Sequence, residues 1–316
     1  MLEQFMNMAL RPAVALRRGF RVLPLLLVIC LALPKAGFAE ALRYGNVEAD
    51  KQAEYIDMGE GQIEDWETFY EYLDLFPMLR KVDLFATEIN SKRIEEMTGR
   101  FPQITFGMTM KIGDHVLRTD ATAFSTLHTP NSYMHDETEL SLVRFCTNLY
   151  ALDLGHNRLS DLSFLCDLPE LRVLIIAMNI PLSDITPVGS LRHLEYLEMF
   201  NNCISDISCL SGLPFLMDLN LCTNDISNLE PVKNIAGLKR LWMSRFRRGV
   251  PFGEVRKEAL LIRKALPECE VDEYSPGVEG NWRKHPHYDV ISRIFNTGEY
   301  EPFEDSPAEN IPALYR

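Results

Sequence analysis

The chain has 316 residues, with 45 acidic against 32 basic side chains and a net charge of −13. A surface of that sign argues against nucleic acid and anionic membranes as partners, because phosphate-rich surfaces repel it, and favours a neutral or basic one. The N-terminus is the exception. Arg11, Arg17, Arg18 and Arg21 precede an apolar run over 22–34, followed by Lys35-Ala36-Gly37-Phe38-Ala39. A basic region, an apolar core and small residues, in that order, make a secretory signal. Residues 1–39 are therefore expected to be a signal peptide, with cleavage after Ala39 or Ala41 and a secreted or cell-envelope location. The apolar run of 13 falls short of the roughly 20 residues a membrane span needs. An uncleaved anchor is the alternative, and the only membrane association expected. Loss of 1–39 removes five basic and one acidic residue from the −13 total, leaving −17.

Residues 40–106 read as irregular repeats. Tyr55-Ile56-Asp57-Met58, Leu79-Arg80-Lys81-Val82-Asp83-Leu84 and Phe101-Pro102-Gln103-Ile104-Thr105-Phe106 are short apolar alternations suited to strands. The segments 65–76 and 92–100 between them read as helical. Residues 107–140 break the rhythm. Two alternating stretches around Gly113-Asp114 predict a β-hairpin, and 126–136, rich in Thr, Pro, Asn and His, predicts a loop.

From 141 to 272 a single frame recurs. Leu149-Tyr150-Ala151-Leu152-Asp153-Leu154-Gly155-His156-Asn157-Arg158-Leu159 is its first full copy. Asn157, Asn179, Asn202 and Asn224 follow one another at 22, 23 and 22 residues, each in the same setting of leucines. This is the pattern L-x-x-L-x-L-x-x-N-x-L of the leucine-rich repeat. One such unit cannot bury its own apolar face, so the units must stack into a solenoid with one continuous core. The stretch x-L-x-L-x is a strand, and the strands pair in parallel. The asparagine falls where the chain turns. An inward amide there must bond to backbone groups, and stacked copies would form a ladder. Apolar residues three apart after each asparagine (Leu159, Leu162, Leu165, Leu168) suit a 3₁₀-like return path. Weaker copies close the array. Leu238–Met243 keeps the strand but has Phe246 for the asparagine, 252–265 reads as a helix, and Leu266–Val271 fits a last strand. The expected fold is an α/β leucine-rich-repeat solenoid, a right-handed horseshoe or arc of about nine parallel strands, with a hairpin insert. Residues 273–316 are expected to form a C-terminal cap on the last coil, with a short helix over 289–295, and a tail.

The register names the strand residues that point away from the core. Across neighbouring strands they include Val173, Ile175, Met178, Tyr196, Glu198, Phe200, Asn220, Trp242 and Arg245. A contiguous apolar area with charge at its rim marks an interaction site, and aromatic side chains beside Arg are its usual anchors. Two readings stand side by side. Either the face binds a protein or cell-surface ligand, or it is covered by the insert or the C-terminal segment folding back or closed by dimerisation, the protein then being structural and envelope-associated.

Catalytic and metal readings find little support. There is no P-loop, G-x-G-x-x-G, H-E-x-x-H or G-x-S-x-G pattern. A Ser/His/Asp set drawn from His156, Asp153, Asp120 and Ser125 has no nucleophile motif behind it. His285 and His287 lack a third ligand at motif spacing, so no metal and no cofactor is expected. Of six cysteines beyond residue 40, Cys146 and Cys269 occupy inward leucine slots. Only Cys146 and Cys166 lie in adjacent coils at similar heights.

The repeats resemble the 22-residue class of bacterial internalin-like proteins. The match is strong over 146–245 and weak over 53–106 and 246–272. The runs 120–128 and 282–288 look like flanking segments of leucine-rich-repeat proteins from Gram-positive gut bacteria. The resemblance implies a non-catalytic protein-binding module. The additional repeats, Ig-like domain and wall anchor of invasive internalins are not seen in this sequence, so no role in invasion is expected.

Overall fold

The computed structural model describes residues 40–59, 63–85, 89–127, 134–274 and 281–315. The expected signal segment lies outside them, as does Thr87, which stands where the frame of Leu79–Leu84 would place its asparagine. The chain divides into two units at Lys51. In the first, β1 (Ala41–Tyr44) and β2 (Val47–Asp50) form an antiparallel hairpin. Gly45 takes φ 59° at its turn, a conformation that suits glycine.

The second unit begins with β3 (Tyr55–Asp57), α1 (Trp66–Leu73), β4 (Lys81–Leu84), α2 (Ser91–Arg100) and β5 (Thr105–Ile112). Asp65 caps α1 by accepting from the N–H groups of Glu67 and Thr68, and Asn90 caps α2 by accepting from that of Arg93. The strands β3, β4 and β5 pair in parallel, and β6 (His115–Arg118) returns antiparallel on β5 as the expected hairpin. Next comes β7 (Ala123–Ser125), a strand the sequence pattern did not flag. The short helix α3 (Glu137–Leu140) leads into the regular array. Its strands are β8 (Ala151–Asp153), β9 (Val173–Ile175), β10 (Tyr196–Glu198), β11 (Asp218–Asn220) and β12 (Arg240–Trp242). A five-residue 3₁₀ turn follows each from β8 to β11. After β12 come α4 (Phe252–Ala265), β13 (Glu270–Asp272) and α5 (Pro286–Thr297). Strands β7 to β13 form one seven-stranded sheet, with every described pair parallel, while β3 to β6 form a separate four-stranded sheet.

Inward leucines fill the coil interior: Leu152, Leu174, Leu197, Leu219 and Leu241 are fully buried. The four asparagines tie the coils together. Asn202 Oδ1 accepts from Asn179 N–H at 2.7 Å, while its Nδ2 donates to the carbonyls of Ile176 and Met199 at 3.0 Å each. Asn179 bonds Leu159 N–H and the Leu154 and Ile176 carbonyls in the same manner, and Asn224 bonds Ile204 N–H. Asn157 reaches instead to His135 N–H at 2.9 Å and to Thr126 Oγ1 at 2.8 Å. This is a leucine-rich-repeat solenoid. The residue before each asparagine, and Arg245 before Phe246, is left-handed: φ is 59° at His156, 62° at Met178, 54° at Asn201, 56° at Thr223 and 52° at Arg245. None of the five is glycine, so each carries a backbone cost of about 1 kcal/mol that the ladder holds in place.

Cys146, Cys166, Cys203, Cys209, Cys222 and Cys269 are all free thiols. Among the described residues, no helix is long and apolar enough to cross a membrane.

Candidate functional site: the concave strand face and its cover

Equivalent positions in successive coils line up across the parallel sheet as rows. From the entry of the strands to their exit they begin with Tyr150, Arg172, Glu195, Met217 and Lys239, then Ala151, Val173, Tyr196, Asp218 and Arg240. The rim row at the exit is His156, Met178, Asn201, Thr223 and Arg245.

The residues singled out from sequence do lie on this one face, but most are not open to solvent. Val173, Tyr196, Glu198, Phe200, Asn220 and Trp242 are buried, with at most 5% of their surface exposed. Ile175 and Met178 are half-buried, and Arg245 is exposed. The cause is residues 281–315. The sequence offers two places for this segment, the end of the last coil or the strand face, and the structure lays it across the face. Helix α5 starts with Pro286 in its first turn and stops at Gly298, whose φ of 75° and N–H bond to the Ile294 carbonyl end it cleanly. Its Ile291 and Ile294, with Tyr300 and Phe303, form a buried cluster with Ala123, Ala151, Val173, Tyr196 and Met217. Phe200 and Trp242 pack in a second cluster with Ala177, Cys222 and Tyr288.

Polar contacts fasten the cover along the entry row, which sequence reasoning missed. Asn310 is fully buried. It bonds His193 Nδ1 at 2.7 Å, the His193 carbonyl at 3.0 Å and the Glu195 carboxylate. Arg172 Nε donates to the Asn310 carbonyl at 2.6 Å, and Tyr300 N–H donates to Thr122 Oγ1 at 3.0 Å. Lys239 meets Asp305 at 2.7 Å. The available signal was the chemistry of the first x position of the frame, where Arg172, Glu195 and Lys239 are charged.

A second clasp joins Asp218, Arg240, His287 and Asp305. The ring of His287 lies between Asp218 Oδ2 at 2.5 Å and Asp305 Oδ1 at 2.6 Å and stacks on Phe303 at 3.9 Å. Burial alone would raise the Asp305 carboxyl, but hydrogen bonds from Lys239 and His287 hold it down at about 2. His285 supplies a further imidazole, and Asp218 is the third ligand type that the His285-x-His287 spacing lacked: all three ligand atoms lie within 4.8 Å of one another. The guanidinium of Arg240 is bonded into the same cluster, to both Asp218 oxygens. Its permanent charge opposes a dication there, so the cluster works as an ion-paired fastening. His285 stacks on Tyr196 and packs against Trp242, and burial lowers its pKa to about 4, keeping it neutral.

A cavity of about 160 Å³ remains between the strand face and α5, lined by Asp153, His156, Glu198, Phe200, Arg283 and Tyr288 among others. Burial pushes the Glu198 carboxyl up to about 8 and that of Asp153 up to about 6. Tyr196 donates to Glu198 at 2.8 Å, and Ser125 donates straight to Asp153 at 2.9 Å. In a Ser/His/Asp relay the imidazole stands between the hydroxyl and the carboxylate; Ser125 bypasses His156. Asp120 is instead paired with Lys81 and Arg118, at 2.9 Å each.

No protein-family profile matches the chain. No curated protein matches it either. Solved structures similar to it are internalins and other leucine-rich-repeat proteins. An internalin C2 of Listeria monocytogenes shares 22% identity over 62% of this chain and 85% of its own, with a TM-score of 0.34. An internalin (inlF) of the same organism shares 18% over 65% and 70%, with a TM-score of 0.40. A leucine-rich-repeat protein of Leptospira interrogans shares 15% over 78% and 59%, with a TM-score of 0.36.

Proposed function

We propose that the protein is an exported, non-catalytic module that binds a neutral or basic protein or cell-surface ligand along the concave side. The observation carrying this reading is the rim row His156, Met178, Asn201, Thr223 and Arg245. The cover leaves all five at least partly exposed beside a buried apolar face. With strands about 4.8 Å apart, five such side chains present a ladder roughly 19 Å long to a partner. Phe200 and Trp242 lie behind it, packed against the cover at Tyr288. The net charge of −13 favours a cationic patch on the ligand and disfavours nucleic acid.

A second reading has its own support. Because the tail closes most of the face, the protein could instead be a structural, envelope-associated one whose strand surface is satisfied internally. Capture of partners from an envelope extract separates the two. Wild-type bait should retain a specific protein that bait carrying Met178→Lys and Asn201→Lys loses, both baits folding normally by circular dichroism. If both baits recover the same proteins, the rim does not bind and the second reading stands.

A further inference from the structure

The hairpin insert carries a group of side chains that the repeat architecture does not require. Asp114 follows the glycine of the β5–β6 turn, His115 opens β6, and His135 precedes α3. One carboxylate oxygen and two ring nitrogens converge here, all within 4.8 Å of one another. Asp114 Oδ1 lies 2.7 Å from His135 Nε2 and 3.2 Å from His115 Nε2. The two imidazole centroids are 5.5 Å apart at 68°.

Three features set this cluster apart from an ordinary charged contact. First, His115 is 6% exposed, yet among the described residues its Nε2 has no hydrogen-bond partner. A buried ring nitrogen aimed at a carboxylate oxygen without bonding it is costly unless something else occupies the shared point. Second, His135 Nδ1 is held by Glu139 at 2.7 Å. A carboxylate on one ring nitrogen is how metal-binding histidines are oriented; the other, Nε2, is hydrogen-bonded to Asp114 Oδ1 at 2.7 Å, and an ion bound there would take the place of that shared proton. Third, the arrangement is built in. A Cβ on Gly113 would fall 2.3–3.0 Å from atoms of the His135 ring, so the turn is pressed onto that ring. The backbone N–H of His135 is fixed by Asn157 at 2.9 Å.

We propose that Asp114, His115 and His135 bind one zinc ion, or a similar first-row divalent ion, with Glu139 as the positioning carboxylate. Tetrahedral bonds of about 2.0–2.1 Å put ligand atoms about 3.3 Å apart. The His115–Asp114 distance already matches, and the His135–Asp114 contact needs to open by about 0.6 Å. Three protein ligands leave a fourth position for water or for a side chain of a partner. Among the described residues no arginine or lysine bonds any of the three side chains, in contrast to the Asp218 cluster with its Arg240. The ion would staple the hairpin to the first rung of the asparagine ladder.

The test is titration of the purified, chelator-stripped chain with Zn²⁺ by calorimetry and with Co²⁺ by visible absorption. The expected result is one ion per chain, the strong visible bands of four-coordinate Co²⁺, and a higher melting temperature with zinc. His115→Ala and Asp114→Asn should each abolish the bands and the zinc-dependent rise in melting temperature. Glu139→Gln should keep the bands but bind about tenfold more weakly. Asp114 is partly exposed in a turn, so its variant reports binding even if His115→Ala does not fold. Absence of stoichiometric binding, or binding unchanged in Asp114→Asn, overturns the proposal.

Discussion

Replacing Asn202 by alanine tests the ladder at its centre. The side chain is fully buried and makes three bonds. They are not equivalent. The Ile176 carbonyl also receives Asn179 Nδ2 at 3.1 Å, and the Met199 carbonyl also receives Asn224 Nδ2 at 3.0 Å. Both therefore stay bonded when Asn202 is truncated. The N–H of Asn179 has Asn202 Oδ1 as its described acceptor and becomes an unpaired buried donor, costing about 1–3 kcal/mol. Loss of the other two bonds and a small cavity add about 1 kcal/mol. The expected destabilisation is about 2–4 kcal/mol, or roughly 4–16 °C in melting temperature for a unit of this size. Urea denaturation with the neighbouring Asn201→Gly as control makes the assay specific. Asn201 is left-handed, so glycine there should be neutral or stabilising. If Asn202→Ala melts within about 0.5 kcal/mol of wild type, the coils are not held by these amides and the reasoning fails.

Two further outcomes follow from the same face. Thr223 is β-branched at φ 56°, so Thr223→Gly should raise the urea midpoint by the equivalent of about 1 kcal/mol; an unchanged or lower midpoint would show that the threonine is not strained. Burial raises Glu198 from its ordinary 4.5 to about 8 and Asp153 from 3.8 to about 6. The folded chain then holds protons that the unfolded one releases, so this stabilisation is complete below about pH 4 and is lost as pH rises through about 6 and then about 8. For Glu198 the loss is on the order of 3–5 kcal/mol. Melting temperatures between about pH 6 and about pH 9 should fall in wild type and flatten in Glu198→Gln; parallel slopes would refute the assignment.

The repeat itself was legible because its signal is periodic. Inward leucines, the asparagine at the turn and residues three apart each recur, so one misread position does not shift the register. Strand β7 was not legible for the opposite reason. Ala123-Phe124-Ser125 has Thr129 rather than an asparagine five residues after Phe124, and its neighbours read as loop. The cover was harder still. The strand residues Val173, Tyr196 and Phe200 announce that their face must be buried against something, but the frame does not say against what. That depended on pairings such as Arg172 with Asn310 and Thr122 with Tyr300, for which no local pattern exists. The asparagine rungs join residues about one coil apart, and those contacts are what a sequence period encodes.

That difference in range also sets an order of events during synthesis. A rung such as Asn179 to Asn202 spans 23 residues, whereas Tyr300 to Thr122 spans 178. Rungs of that kind can form coil by coil as the chain leaves the ribosome, each new turn docking on the one before. The strand surface cannot be closed until the final stretch from His285 to Asn310 emerges. Until then a nascent solenoid presents Val173, Tyr196, Phe200 and Trp242 to its surroundings, the kind of transient apolar surface that chaperones engage. Premature termination near residue 280 would therefore yield a chain with its repeats stacked and its most hydrophobic face permanently open.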